Sequence, residues 1–241
     1  MDKSTNGLLF FSIIIPAHNE ERYVGKTLEK LQKLDYQKER YEVIVVENAS
    51  SDDTYKEARR FEGQNIKAFS VSVKGVSSAK NAGIERLSAQ SEWVIFLDAD
   101  THLERGFLKN LNKFLLKTAD KNYSVGTTRV LPLSQKIGAR IWFAFYDFGH
   151  FVTKSSYAIQ LFKRSILDQI SFDEDMALGE DLKLIREAVR YGRFFYFSTS
   201  EVYTSTRRFE EEGWFRVFFH WMFVAILPTK LQRRFSYKVV R

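Results

Sequence analysis

The sequence predicts an α/β fold: a doubly wound, mostly parallel sheet with helices on both faces, closed by an amphipathic C-terminal helix. Three observations predict it. Apolar runs of strand length alternate with helix-period segments through the first half of the chain, the rhythm of right-handed crossovers between parallel strands. The fourth run, Trp93–Leu97, is apolar throughout, as strands buried on both faces are. It leads directly into Asp98-Ala99-Asp100, two carboxylates where open α/β sheets bind ligands, at the carboxyl ends of their strands.

Taken in order, Phe10–Ile15 reads as the first strand, since this apolar run lacks the basic flank and small-residue cleavage pattern of a signal peptide. Glu20–Leu34 is helical, with Val24, Leu28 and Leu31 on one face. Tyr41–Val46 is the second strand, and Asp52–Phe61 a helix with acidic residues in its first turn. Ile66–Val73 is strand-like, Val76–Ala89 helical, and Trp93–Leu97 the fourth strand. The second half is less regular. Leu103–Leu116 is read as a helix, Ser124–Val130 as a strand, and Gln135–Lys154 as an aromatic-rich connection. Tyr157–Phe162 is a strand, Leu178–Tyr191 a helix with Leu178, Leu182, Ile185 and Val189 on one face, and Arg193–Phe197 a short strand. A final helix, Glu210–Leu227, is stopped by Pro228.

The 241 residues suffice for one substantial α/β domain. Its extent is set at residues 1–205, with an aromatic helix and basic tail over 206–241. The absence of cysteine excludes disulfides and thiolate metal sites, which fits a reducing, cytoplasmic setting. A net charge of +7 calls for an anionic partner, and nucleotide phosphates, anionic lipid and nucleic acid all qualify. No nucleic-acid recognition motif accompanies the charge, so nucleic acid is not expected. The first strand is followed by Pro16-Ala17-His18-Asn19-Glu20 and not by a glycine-rich turn, which argues against a dinucleotide-dependent dehydrogenase.

Four segments carry the chemistry. They are Ser12–Glu21; Val43–Thr54, containing Glu47-Asn48; Ser78–Ile84 with Phe96–Thr101; and Phe172–Asp175 with Gly179-Glu180-Asp181. In this order and spacing they resemble family 2 inverting glycosyltransferases of the GT-A fold. The resemblance covers about residues 10–200. It implies transfer of a sugar from a nucleoside-diphosphate donor to an acceptor hydroxyl, assisted by a divalent cation, Mg²⁺ or Mn²⁺.

Under that resemblance Pro16 and Ala17 shape one wall of the donor cleft, with Glu20 near the ribose or base. Glu47 and Asn48 read the base edge, or else open a turn and cap the next helix. Asn48 replaces an Asp usual in the family, and Lys80 replaces an Arg, giving a point contact where a fork is usual. Lys80 would contact base or diphosphate. Asp98 would touch the ribose and Asp100 hold the metal, with Ala99 between them; the side chains share a direction if the extended geometry persists. The catalytic base is Asp181, or its neighbour Glu180, although both also suit a helix N-terminus. Arg207 and Arg208 hold the diphosphate or lie solvated. His220 is either a third metal ligand beside Asp98 and Asp100 or a packed residue next to Trp221.

From Trp214 to Leu227 only Arg216 and His220 are polar, and the tail carries Lys230, Arg233, Arg234, Lys238 and Arg241 with no acid. The helix is too short to span a bilayer. It is read as packed on the domain or lying on an anionic membrane surface, peripherally on the inner face, where a lipid-linked acceptor would be met. A sugar-nucleotide nucleotidyltransferase and an inactive scaffold relative remain as alternatives to the transferase.

Overall fold

The computed structural model describes residues 7–176 and 178–226, without the side chains of 220–222 and 224–226. The His220 side chain, Pro228 and the basic tail therefore lie outside the described residues. The strands are β1 (Phe11–Ala17), β2 (Tyr41–Asn48), β3 (Ile66–Val71), β4 (Trp93–Leu97), β5 (Thr101–Leu103), β6 (Tyr123–Thr128), β7 (Leu131–Pro132), β8 (Ile159–Lys163), β9 (Arg193–Phe197) and β10 (Val202–Thr204). The helices are α1 (Val24–Gln32), α2 (Thr54–Arg59), α3 (Val76–Ile84), α4 (Phe107–Lys117), α5 (Ile137–Thr153), α6 (Arg164–Leu167), α7 (Glu180–Ala188), α8 (Arg207–Glu212) and α9 (Trp214–Ile226).

Seven strands form the central sheet in the order β3-β2-β1-β4-β8-β6-β9. All neighbours are parallel except β8, which runs antiparallel to both β4 and β6. This is the mostly parallel, doubly wound sheet expected. Its two faces carry separate cores. Phe11, Ile13 and Ile15 of β1 pack with α1 and α4, whereas Ile14 between them packs with Ala79 of α3 and Leu184 and Ile185 of α7. Period-two alternation thus feeds apolar side chains to both layers, so β1, β2 and β4 have few polar positions.

The second half departs from the sequence reading in four places. The aromatic-rich connection over 135–154 is a 17-residue helix, α5. Its buried side chains Ala139, Phe143 and Tyr146 have helical spacing, but the opposite face is apolar as well, which blurs the period that marks an amphipathic helix. The C-terminal helix is two helices, because Gly213 takes a φ of 90° that ends α8 and starts α9. The helix expected from Leu103 begins at Phe107, and residues 101–103 instead form a strand in a small second sheet, β5-β10-β7. Strands of two or three residues leave too little pattern to read. Finally, α7 buries Leu184, Ile185 and Ala188 and leaves Val189 exposed; the helix is rotated so that Glu180 points inward.

The close seating of α3 on β1 depends on Gly83, where a Cβ would lie 2.5 Å from Cγ2 of the fully buried Ile14. Gly83→Ala is expected to destabilise the protein by about 1–3 kcal/mol in urea denaturation, as overpacking does. His150 on α5 stacks on Tyr157 with 4.7 Å between ring centroids and shares a 2.6 Å hydrogen bond with Ser155. Burial lowers its pKa from 6.5 to about 4. The unfolded chain then binds the extra proton between these values, so stability present above pH 6.5 is lost as pH falls toward 4. The unfolding temperature should drop over that window, and His150→Gln should remove this part of the slope.

Candidate active site

Because β1, β2 and β4 run parallel and in register, their carboxyl ends share one edge of the sheet. The loops that follow are stitched together. Asn19, at a left-handed φ of 57°, accepts hydrogen bonds at Oδ1 from the backbone N–H of Ser51 (2.8 Å) and from its hydroxyl (3.1 Å). The Asn19 N–H in turn donates to Ser50 Oγ (3.0 Å), and that of Glu20 to Thr54 Oγ1 (2.7 Å). His18 Nδ1 lies 2.7 Å from the Asn48 carbonyl. Pro16 and Ala17 end β1 beside this loop pair, with Ala17 buried.

Glu47 and Asn48 end β2 with their polar groups engaged inside the protein. Glu47 accepts from the Ser50 N–H (2.5 Å) and the Ser70 hydroxyl (2.6 Å), and Asn48 donates to the Gly75 carbonyl (2.9 Å). Both are buried. Their contacts fix the turn after β2 and the entry to α3, the local role that was the simpler of their two readings.

The turn after β4 displays the acidic pair. Ala99 is buried and its carbonyl accepts from Thr27 Oγ1 (2.7 Å), while the Thr101 N–H closes the turn on the Asp98 carbonyl (3.0 Å). Asp98 is exposed to the cleft, and its carboxylate has no hydrogen bond or ion pair among the described residues. Desolvation by the surrounding walls, with the charge of Asp100, pushes it up to about 6. Asp100 forms an ion pair with Arg207, whose Nε lies 3.0 Å from Oδ2. Arg207 also bonds Glu20 and sits over the Tyr23 ring, 4.3 Å from its centroid. Burial pushes Glu20 up to about 7 against the pull of this guanidinium. Arg208, the next residue, pairs with Glu212 at 3.7 Å within α8 and adds positive charge near Asp98.

Facing this group, the start of α7 presents Glu180 and Asp181. Lys80 of α3, 2% exposed, places its ammonium 2.5 Å from Asp181 Oδ1 and 3.4 Å from Glu180 Oε1, above the Phe172 ring at 4.8 Å. Gln160 of β8 donates to the other Asp181 oxygen at 3.2 Å. Burial works against the Lys80 charge, but Asp181 and Glu180 outweigh it and hold the lysine protonated. Burial, then the Asp181 charge, raises Glu180 above the usual carboxylate range. Asp98 lies within electrostatic reach of Lys80 and Asp181, so the two acidic clusters are neighbours. Glu174 and Asp173 stabilise the loop leading to α7 through Ser78 (2.8 Å) and Lys183 (2.8 Å).

The site also contains residues that the motif reading passed over. Gln160 is the lone polar side chain of its strand interior, and Tyr23 supplies an aromatic surface beneath Arg207, as Phe172 of the fourth segment does beneath Lys80. A buried amide in the apolar run Ile159–Phe162 was a legible signal, since such a group needs a partner. Three buried polar atoms here have none among the described residues: Glu20 Oε2, Arg207 Nη1 and Gln160 Oε1. They offer donors and acceptors to a polar ligand. The hard oxygens of Asp98 and Asp100 fit Mg²⁺ or Mn²⁺, which take one or two carboxylates and complete their shell with phosphate oxygens. Among the described residues no group of three His, Asp or Glu forms an all-protein metal cage. A cavity of about 320 Å³ lined by Phe10, Lys38 and Tyr41 lies at the opposite, amino end of the sheet and is no part of this site.

The sequence model described as glycosyl transferase family 2 matches residues 12–170, two thirds of the chain. The chain belongs to glycosyl transferase family 2. It is a glycosyltransferase by that membership. A family 2 relative from Methanococcus voltae, dolichyl N-acetyl-alpha-D-glucosaminyl phosphate 3-beta-D-2,3-diacetamido-2,3-dideoxy-beta-D-glucuronosyltransferase, is 30% identical over 207 residues, covering 76% of this chain and 62% of its own. The crystal structure of Staphylococcus aureus TarS 1-349 in complex with UDP-GlcNAc superposes with a TM-score of 0.67 at 22% identity, over 83% of this chain and 59% of that one. The mannosyltransferase PcManGT from Pyrobaculum calidifontis, in complex with GDP-Man and Mn²⁺, gives 0.60 at 20% identity, over 82% and 56%. This glycosyltransferase thus has the GT-A arrangement its motifs implied, and spans less than two thirds of each of these proteins. The family match ends before α7 and α8, so Glu180, Asp181, Arg207 and Arg208 join the site by geometry alone.

Lys80→Met removes one partner of a buried charged cluster and should cost roughly 3–5 kcal/mol in urea denaturation. Lys80→Arg keeps the charge and should lose less.

Proposed function

We propose that this glycosyltransferase moves a sugar from a nucleoside-diphosphate sugar to an acceptor hydroxyl with inversion at the anomeric carbon. The observation that carries this reading is Asp181, held by Lys80 on one oxygen and Gln160 on the other, within electrostatic reach of Asp98. Oriented in this way, Asp181 takes the proton of the acceptor hydroxyl as its oxygen bonds to the anomeric carbon. The bond to the diphosphate oxygen breaks, and the nucleoside diphosphate leaves with the electron pair. Lys80 holds this carboxylate in place through their ion pair. Glu180, buried with a raised pKa, serves to position Lys80.

Asp100 and Asp98 would hold a divalent cation, Mg²⁺ or Mn²⁺. When bound, it supplies Lewis-acid neutralisation of the charge growing on the leaving diphosphate. Arg207, with one buried nitrogen unpaired, adds charge-assisted bonds to phosphate oxygens, and Arg208 reinforces the positive potential. Pro16, Ala17 and Glu20 border the nucleoside, with Glu47 and Asn48 shaping the turn behind it. Binding of UDP-GlcNAc by TarS and of GDP-Man with Mn²⁺ by PcManGT supports the donor class and the cation. The dolichyl phosphate in the Methanococcus relative's name supports a lipid-linked acceptor.

A panel of UDP-, GDP- and ADP-sugars with Mn²⁺ should raise the unfolding temperature for one base over the others. With that donor, Asp181→Asn should keep donor binding and lose about 10²–10⁴-fold in turnover, as loss of a general base does. Release of pyrophosphate from a nucleoside triphosphate supplied with a sugar 1-phosphate, or wild-type turnover in Asp181→Asn, would overturn the reading.

A further inference from the structure

Nine of the fourteen large apolar side chains exposed among the described residues lie on two adjacent helices, α5 and α9. On α5 they are Ile137, Ile141, Phe145, Phe148 and Val152, 54–76% exposed, together with Phe151. At 100° per residue these positions fill one arc of the helix, opposite the buried Ala139, Phe143 and Tyr146. Within that arc the one other position is Ala144, and Arg140 lies just beyond its edge. On α9, Phe215, Phe219 and Phe223 repeat every fourth residue and are 54–69% exposed. The helices are joined through Trp142, whose ring meets Trp214 at 5.9 Å and Phe215 at 5.0 Å, and Phe145 meets Phe218 at 5.5 Å. The two exposed rows therefore form one continuous face. Soluble surfaces rarely expose apolar patches of this kind without a partner.

We propose that this face, built jointly by α5 and α9, inserts in the plane of an anionic lipid bilayer. Charge selects this occupant. Arg140, Lys154 and Arg216 flank the face and are exposed, and the residues directly after α9 include Lys230, Arg233, Arg234, Lys238 and Arg241 without an acid. The only acidic residue of the two helices, Asp147, turns inward to accept from Tyr196 at 2.5 Å. An apolar stripe rimmed by basic residues is the pattern of helices that lie in the headgroup region, where each nearby Lys or Arg gains on the order of 1 kcal/mol from anionic lipid. Pairing of two copies through the same face would bring these like charges together. Among the described residues no helix is long and apolar enough to cross a membrane, so the attachment is in-plane. It also orients the cleft, because α9 continues directly from α8, which carries Arg207 and Arg208.

This inference goes beyond the proposed reaction and is read without substrate. The full chain is sedimented with vesicles of phosphatidylcholine alone or mixed with phosphatidylglycerol, at low and high salt, and its mass is measured without vesicles. Binding to the mixed vesicles that weakens with salt is expected. The double variant Phe145→Asp/Phe219→Asp should bind about tenfold less or worse, as loss of buried aromatic area requires, with unchanged circular dichroism and donor hydrolysis. Ile141→Ser, a milder change, should weaken binding in the same direction. A wild-type chain that stays in solution with mixed vesicles would overturn the proposal. Equal binding by the double variant, or a dimer that this variant converts to monomer, would do the same.

Discussion

An ammonium ion buried between α3 and α7 obliges its surroundings to supply negative charge, and that demand organises much of the cleft. Lys80 has almost no access to water, so its charge is tolerable only with Glu180 and Asp181 against it. Those carboxylates are in turn tolerable only with the lysine in place. The mutual requirement ties a helix from the regular first half of the chain to one from the irregular second half. It explains why α7 is rotated so that an acidic residue faces inward while Val189 faces out.

Across the cavity a second arrangement follows the same electrostatics with a different outcome. Arg207 reaches from α8 to bridge Glu20 and Asp100, compensating two carboxylates that burial would otherwise leave strained. Among the described residues Asp98 has no bond of its own, and its pKa is raised. A site with one free carboxylate, one guanidinium with a spare donor and one amide with a spare acceptor is only partly balanced. A phosphate-bearing ligand accompanied by a cation completes that balance, since it brings both signs of charge. The loops between β1 and α1 (residues 18–23) and between β2 and α2 (residues 49–53) are tied together by hydrogen bonds, so little rearrangement is demanded there on binding.

The parts legible in the sequence are those whose side-chain period is unambiguous. β4 and β9 were readable to the residue, because an apolar run ending at charged or polar residues has few alternatives. The acidic turn after β4 lies within the stretch the family model matches, whereas the pair opening α7 lies beyond it and is brought near by the fold. Less was legible where both sides of an element are apolar, as in α5, or where an element has two or three residues, as in β5, β7 and β10. Side-chain destinations were the other blind spot. Glu47 and Asn48 are polar residues at a strand end in either reading, and only coordinates reveal that their hydrogen bonds close inside the protein. Lys80 could be placed near the site by its neighbours in sequence, but its partners lie about a hundred residues away.

The reversed direction of β8 gives Gln160 an unusual station. β8 begins at the edge where the parallel strands end, so Gln160, its second residue and the partner of Phe96 in β4, belongs to a hydrogen-bonded strand and not to a loop. A loop residue can be displaced by a ligand, whereas a strand residue moves only with its strand. In the proposed reaction the proton acceptor is thereby tied to the central sheet, and acceptor specificity is free to diversify around it without disturbing its aim.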